Sequence, residues 1–310
     1  MTFSYDYRFV AFVDVLGFSA LISDEQRSER FARAMHKILG TMLDPNVGFA
    51  ELTHIFNGEQ FEVECSWPAS DRAMVSSISD ALVISLPENT EPDGEYPSSR
   101  VNQILVLLEH VKRVQTILCA AGVLCRGGVT HGRIHHEHNF AIGEALIAAY
   151  NLESKVALYP RVLIGEEVIE ILMSEEIPDG YFAVRNRIAH AVTIDRDGLP
   201  YVNYFGWNPL YNDGLMYPEE EHTRAIEFFE KQLNDESRER VREKLTWAVD
   251  HLKHVKKMYT SESDLAYTLT NAKTDFGLKY LRTWENLREA VSNLERNGEY
   301  KDVQNLLGLT

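Results

Sequence analysis

The chain has 310 residues, of which 45% are hydrophobic and 25% are charged, so it is long enough to bury the core of one substantial domain plus an appendage. Its formal net charge of −16 and the lack of any basic run disfavour a nucleic-acid partner or an anionic membrane surface, since both would repel it. Three cysteines without metal-ligand or disulfide spacing, no export signal and no apolar run of ~18 residues favour a cytoplasmic protein with reduced thiols.

The first predicted element is a buried strand over 8–16 that carries a carboxylate near its end. Its apolar run reaches Asp14 and then turns at Gly17. Because a buried, unpaired carboxylate is costly, Asp14 is expected either to cap the following turn or to bind a metal. A helix is predicted over 25–43 from its i, i+3, i+4 apolar pattern, and the Gly- and Pro-containing stretch 44–72 is predicted as an insertion.

A second carboxylate is predicted at the tip of a hairpin over 74–87. Two β-branched runs flank Ser79 and Asp80, and two residues between apolar strands indicate a tight turn. If this hairpin pairs with the first strand, Asp80 lies beside Asp14. Two converging carboxylates suit Mg²⁺ or Mn²⁺, although an Asp in a turn is also ordinary turn chemistry.

The rest of the chain alternates helices and strands and then becomes helical. The next predicted elements are a helix over 101–122, a strand over 124–132, a helix over 143–158, a strand over 161–164 and a hairpin within 181–206. From 219 onward, Glu, Arg, Lys and Leu recur with helical periodicity. We therefore divide the chain into a first domain over 1–216 and a helical extension over 217–310.

Four blocks, taken in order, carry a family resemblance. They are FVAFVDVLGFSALI (9–22), MVSSISDALVISLP (74–87), LCRGGVTHGR (124–133) and GEALIAAYNLESKVALYPRVLIG (143–165). This succession resembles the class III nucleotidyl cyclases, and the spellings D-V-L-G-F-S and S-D are similar to those of the pyrimidine cyclases in bacterial Pycsar antiphage systems. The resemblance covers about 8–205. It implies an α+β fold with a ferredoxin-like class III cyclase core, a βααβαβ-type antiparallel sheet with helices on one face, followed by the C-terminal helical extension.

The resemblance also implies a two-metal site. Asp14, Asp80 and the main-chain carbonyl of Val15 would hold two Mn²⁺ or Mg²⁺ ions per site. The implied triphosphate contacts are the amides of Gly17, Phe18 and Ser19 and the guanidinium of Arg126. An Arg at a strand end that simply reaches solvent is the alternative for Arg126.

The fourth block departs from the family pattern. The family's transition-state Asn falls on Ile147, and its Arg falls on Asn151. Asn151 is retained as a candidate catalytic contact to ribose or phosphate. Lys155, one helical turn away, is a candidate for replacing the lost charge, and Tyr150 for stacking on the nucleotide. Solvated surface side chains are the alternative for each.

Two further departures concern the base. The purine-reading Lys and Asp of the family fall on Ser76 and Phe140, so both purine contacts are missing and a pyrimidine is favoured. Uracil and cytosine differ at one donor or acceptor edge, and no residue distinguishes them. A zinc site in the His-rich stretch 131–138 is an alternative use of that segment, without a recognisable ligand spacing.

The implied function is that of a lyase, a uridylate cyclase that converts UTP to 3′,5′-cyclic UMP and pyrophosphate. By resemblance it would be a homodimer with composite active sites, whose product acts on a separate cyclic-nucleotide effector in antiviral defence. The alternatives are a cytidylate cyclase that makes cyclic CMP and a non-catalytic sensor that binds a nucleoside triphosphate. A polymerase or dinucleotide cyclase is disfavoured by the lack of a basic track and of a G-G-[DE]-E-F motif.

Overall fold

A computed structural model describes most of the first two-thirds of the chain and one helical pair beyond it. The described residues are 4–43, 49–56, 59–66, 73–88, 99–137, 140–174, 188, 191–204 and 219–260. Within them the fold is α+β. None of the described helices combines the length and the apolar character that crossing a bilayer requires.

Ten strands are present in the described residues. They are β1 (Asp6–Val15), β2 (Phe49–Phe56), β3 (Glu59–Ser66), β4 (Met74–Ile78), β5 (Ala81–Pro87), β6 (Cys125–Glu137), β7 (Phe140–Gly143), β8 (Val162–Ile164), β9 (Val192–Ile194) and β10 (Pro200–Val202). Eight of them form one sheet in the order β4-β5-β1-β6-β8-β10-β9, with β7 also paired to β6, while β2 and β3 form a separate hairpin inside the predicted insertion.

Seven α-helices accompany the strands in this part of the chain. They are α1 (Phe18–Ile22), α2 (Glu25–Leu43), α3 (Ser99–Ala120), α4 (Glu144–Asn151), α5 (Glu166–Ser174), α6 (Glu219–Asp235) and α7 (Glu239–Thr260). A π-helical turn over Leu152–Val156 continues α4. The helix predicted over 25–43 and the hairpin within 181–206 are confirmed, whereas α5 and β7 were not predicted.

The main sheet is antiparallel except at one pair. Strands β6 and β8 run parallel, with Gly128 opposite Leu163, so the prediction of a fully antiparallel sheet is wrong there. The reason is the helical crossover through α4, which returns the chain to the sheet in its original direction.

Helices cover both faces of the sheet. Alternate residues of β1 point to opposite faces; one set is apolar from Phe9 to Val15, and the other places Val10 and Phe12 between the polar side chains of Arg8 and Asp14. On one face, α2, α3 and α5 pack on a core that includes Phe9 and Ile84. On the other, α4 packs its Ala145 against Val10 and Val83. The prediction that helices lie on one face only is therefore wrong for α4.

Two consecutive glycines of β6 permit close approaches, Gly128 to α4 and Gly127 to the neighbouring strand β1. A Cβ on Gly128 would lie 2.6 Å from both the carbonyl oxygen of Ala149 and the Cβ of Leu152. A Cβ on Gly127 would lie 2.1 Å from the carbonyl oxygen of Phe12 on β1. Because Gly128 has no side chain, the end of α4 and the π-helical turn can lie directly over the start of β6.

The α6–α7 pair packs against the sheet domain. Phe229 and Leu252 share a core with Cys119 and Tyr204. Arg161, which is fully buried, forms ion pairs with Asp195 and Asp197 in the β9–β10 turn. Asp195 also accepts a 2.7 Å hydrogen bond from the indole of Trp247 on α7. The predicted domain boundary between 216 and 217 lies outside the described residues, as does the chain after 260.

Candidate active site

The Asp14 strand and the Asp80 hairpin meet as predicted. Pairing of β1 with β5 sets Asp14 opposite Ala81, and Asp80 immediately precedes Ala81 in the two-residue turn. The N–H of Val15 donates to the carbonyl of Asp80 at 3.1 Å, which fastens the turn to the end of β1. The turn places Ser79 at φ 59°, in the left-handed region. The two aspartates are thus neighbours at one end of the sheet.

Asp14 lies among acidic side chains whose charge Arg126 compensates only in part. Its pKa is raised to about 6, first by burial and then by the negative charges of Glu153 and Asp80, against the opposing effect of Arg126. Because like charges crowd together here, ionising the whole group is unfavourable in the absence of a counter-charge. A cation at this position would relieve that repulsion.

Arg126 lies directly across from Asp14 on β6 and is engaged by the protein itself. It forms an ion pair with Glu153, whose side chain is only 3% exposed, and its Nη1 donates to the carbonyl of Ala157 at 3.4 Å. The alternative of an Arg that simply reaches solvent therefore does not describe it. Burial raises the pKa of Glu153, and the charge and hydrogen bond of Arg126 lower it. Glu153 was not predicted; the available signal was the carboxylate two residues after Asn151.

The oxygen donors at this end of the sheet fit a hard divalent cation. Among the described residues, no group of three His, Cys, Asp or Glu side chains is arranged as a metal site. Magnesium, however, is commonly held by one or two carboxylates together with waters and substrate phosphates. Asp14, Asp80 and the carbonyl of Val15 provide that kind of donor set, and a bound cation would offset the burial and the acidic neighbours that raise the pKa of Asp14.

The predicted triphosphate-binding turn follows β1 at once. Gly17 adopts φ +72°, a conformation that favours glycine, and precedes α1. The ring of Phe18 is half-buried, packs edge-on against Phe31 at 5.8 Å and lies against the core. Ser19 is exposed. This segment therefore offers its main chain to the site.

The candidates on the fourth block are arranged on α4 and its π-helical extension. Asn151 is buried, and Lys155 is exposed on the π-helical turn. Tyr150 is 51% exposed and stands edge-on over Phe12 at 5.7 Å, on the same face of β1 as Asp14. Ile147, at the position of the family's Asn, is 60% exposed. Tyr150 therefore lies, with Phe12, on the face of β1 that carries Asp14.

The two base-position candidates differ in accessibility. Ser76 is 1% exposed, and its hydroxyl lies 2.9 Å from Nε2 of His136, whose Nδ1 lies 2.7 Å from the hydroxyl of Ser85. Phe140 is 50% exposed. Ser76 thus belongs to a buried polar network, and Phe140 is the one of the two that presents surface to a ligand.

The histidines of the proposed zinc alternative have separate partners. Nε2 of His131 lies 3.1 Å from Glu88, and Nδ1 of His135 lies 2.8 Å from the carbonyl of Ser4. His136 lies between Ser76 and Ser85, and burial lowers its pKa to about 4. His138 is outside the described residues. The described histidines therefore serve the protein's own hydrogen bonding.

Lys244 of α7 is a further charge at this end of the sheet that the sequence did not reveal. Its pKa is lowered, first by burial and then by the charge of Arg126, while Glu153 acts in the opposite direction. Lys244 also lines a cleft between the Gly17 turn and the α6–α7 pair. Lys244 lies near the start of α7, and its approach to Arg126 depends on how α7 docks on the sheet domain, so the local sequence gives no signal for it.

The chain matches no protein-family model, and no curated protein matches its sequence.

Proposed function

We propose that this protein is a pyrimidine nucleotide cyclase that converts UTP to 3′,5′-cyclic UMP and pyrophosphate. The observation that carries the proposal is the meeting of Asp14 and Asp80 at one end of the sheet, with Arg126 directly across from Asp14. The motif blocks that supply these residues resemble, in their order, those of class III cyclases with a ferredoxin-like core. The positions of Asp14, Asp80 and Arg126 are taken from the structure, and the cyclisation reaction is taken from the family resemblance.

The proposed reaction needs positioning more than covalent participation by the protein. The bond from ribose O3′ to the α-phosphorus forms, the α–β phosphoanhydride breaks, the 3′-hydroxyl proton passes to water, and pyrophosphate leaves. Asp14, Asp80 and the Val15 carbonyl would hold the divalent ions, which when bound would lower the pKa of the 3′-hydroxyl and neutralise the developing charge. The main chain at Gly17 faces the triphosphate, and Glu153 holds the Arg126 guanidinium beside the site.

A homodimer is part of the proposal, because the resemblance places each active site across two protomers. Large apolar side chains are exposed on α4, where Ile147 is 60% exposed, and on β7, where Ile142 is 46% and Phe140 is 50% exposed. Such a group of exposed apolar side chains favours burial against a partner. A second copy would cover it and bring its own residues toward the nucleotide.

The choice of a pyrimidine rests on the residues at the two base positions. Neither Ser76 nor Phe140 can make the ionic contacts of the purine enzymes, and Ser76 is held in a buried network with His136. UTP is the preferred substrate of the proposal and CTP its alternative. The product would act on a separate effector protein in antiviral defence, a role that rests on the resemblance alone.

A non-catalytic sensor of nucleoside triphosphates is the second candidate. It is favoured by the apolar Ile147 at the transition-state position and by the commitment of Arg126 to Glu153. Such a protein would keep the aspartates and bind a metal–nucleotide complex without converting it.

The test is to incubate the protein with Mn²⁺ and each of the four ribonucleoside triphosphates separately and to resolve the products by mass. We expect a 3′,5′-cyclic mononucleotide from UTP, and none from an Asp14→Ala/Asp80→Ala variant. A product from CTP alone would move the assignment to a cytidylate cyclase. Binding of a triphosphate without turnover would replace the enzyme with the sensor.

A further inference from the structure

The C-terminal helices bring a second group of charges to the candidate site. A cleft of about 440 Å³ separates the turn at Leu16 and Gly17 from the facing sides of α6 and α7. The N–H of Leu16 donates to the carbonyl of Leu124 at 2.8 Å, which holds this turn two residues beyond Asp14. The cleft therefore starts at the turn that directly follows Asp14 and Val15, two of the proposed metal ligands.

The cations of this cleft differ in how far they are neutralised. Arg238 is held by Glu236 through hydrogen bonds of 2.9 and 2.7 Å. Arg27 on the α2 wall and Lys244 on the α7 wall have no ion pair to any residue that the structure describes. Asp235 also lines the cleft, so two free cations face one free carboxylate. The excess of positive charge suits an anionic ligand.

Lys244 is the cation nearest to the proposed chemistry. It is half-buried, and the charges of Arg126 and Glu153 both act on it. Glu153 is already engaged by Arg126, so its carboxylate is not available as a full counter-charge for the ammonium. Partial burial and a neighbouring cation both disfavour the charged form of a lysine, and a bound anion would stabilise that charged form.

We propose that Lys244 and Arg27 bind the terminal phosphates of a nucleoside triphosphate in this cleft. The C-terminal helical pair then supplies, within the same protomer, the cationic charge that is missing at Asn151. The inference rests on the proposed function, because it assigns one end of that function's substrate to the cleft. The ligand class is a polyphosphate, either as part of the nucleotide or as free pyrophosphate after the reaction.

The test measures binding by calorimetry in the presence of Mg²⁺, with inorganic tripolyphosphate, pyrophosphate and UTP as separate probes. We expect Lys244→Met to weaken the binding of tripolyphosphate and of UTP about tenfold, as for the loss of one charge-assisted hydrogen bond. Lys244→Arg should restore most of the affinity. The matched control is Lys253→Met, which removes a lysine of the same helix that pairs with Glu230 at 2.5 Å and does not line the cleft.

Each outcome separates this inference from the proposed function. If Lys244→Met binds tripolyphosphate as the wild type does, or if the wild type binds none, the cleft assignment is overturned whether or not cyclic UMP is made. If tripolyphosphate binds in a Lys244-dependent manner but no triphosphate is cyclised, the cleft stands and the cyclase fails. Should Lys244→Met unfold, Arg27→Met tests the same cleft from its opposite wall, and an unchanged affinity there also overturns the assignment.

Discussion

Asp14 combines a functional position with a cost to the fold. In an unfolded chain an aspartate titrates near ~3.9, whereas in the folded protein the pKa of Asp14 is raised to about 6. The folded state therefore binds a proton more tightly than the unfolded state in this pH range. Stability from this group is present below the unfolded pKa and is lost as the pH rises through the folded pKa.

The first prediction follows from that linkage. We expect Asp14→Asn to raise the thermal unfolding midpoint of the metal-free protein by a few degrees at pH 8, because the amide carries no charge. The gain should shrink toward zero below about pH 4, where the wild-type carboxyl is also neutral in both states. Thermal unfolding in a chelator at several pH values measures this.

The control is Asp250→Asn, which changes an exposed aspartate of α7 and should leave the midpoint unaltered. Added Mg²⁺ or Mn²⁺ should stabilise the wild type at pH 8 and have a smaller effect on Asp14→Asn, since only the folded site binds the ion. A variant that is less stable than the wild type at pH 8 would show that Asp14 is not a strained carboxylate.

Among the secondary-structure elements, α4 and its π-helical turn do most to assemble the site, since they carry Asn151 and Glu153. Their position depends on the bare backbone of β6. The carbonyl of Ala149 and the Cβ of Leu152 occupy the space that a side chain on Gly128 would need, each at 2.6 Å from its Cβ. Neither neighbour is the flexible end of a side chain, so the helix itself would have to move.

The second prediction concerns this close approach. We expect Gly128→Ala to destabilise the protein by about 1 to 3 kcal/mol, as for overpacking elsewhere in proteins, and to weaken the binding of the metal–nucleotide complex by displacing Glu153 from Arg126. Gly40→Ala is the matched control, because nothing lies within 4 Å of a Cβ at that position of α2. Helix propensity should make the control neutral or stabilising by up to ~1 kcal/mol. Urea denaturation measures both, and equal stability of the two variants would contradict the packing account.

Elements with a strong local signal could be predicted from the sequence. The apolar run to Asp14 predicted β1, and the β-branched runs around Asp80 predicted β4 and β5. The pairing of these strands brings the two aspartates together. Helix α5 and strand β7 are short, at nine and four residues, and were not predicted. The parallel pairing of β6 with β8 was not predicted either, because it depends on a crossover that periodicity does not describe.

The site could be predicted only in part for a related physical reason. A charge is identified by its residue type, but its burial and its partner depend on distant elements. Glu153 was overlooked because its sequence neighbours do not show that it forms an ion pair with Arg126, which lies on a distant strand. Lys244 was overlooked because its place beside β6 depends on the docking of α7, in which Trp247 bonds Asp195 from the β9–β10 turn.

For the molecule as a whole, the exposed apolar side chains of α4 and β7 bear on the assembly. We expect the wild type to be a dimer and Ile147→Glu to be monomeric with little or no cyclase activity, because a buried carboxylate would face the second copy. Size-exclusion chromatography with light scattering measures the mass in solution.

Ile22→Glu is the control, since Ile22 is also exposed, at 46%, but lies at the end of α1. A wild-type monomer, or an Ile147→Glu dimer with full activity, would exclude this surface as the interface.

The most direct test of the proposed uridylate cyclase activity compares the wild type with Asp14→Asn. It measures the amounts of cyclic UMP and pyrophosphate that each forms from UTP in the presence of Mn²⁺. The variant is well suited, because it is expected to be at least as stable as the wild type, so that lost turnover is not lost folding. We expect equal amounts of cyclic UMP and pyrophosphate from the wild type and neither product from the variant. Cyclic UMP from Asp14→Asn at the wild-type rate, or pyrophosphate without a cyclic product from the wild type, would contradict it.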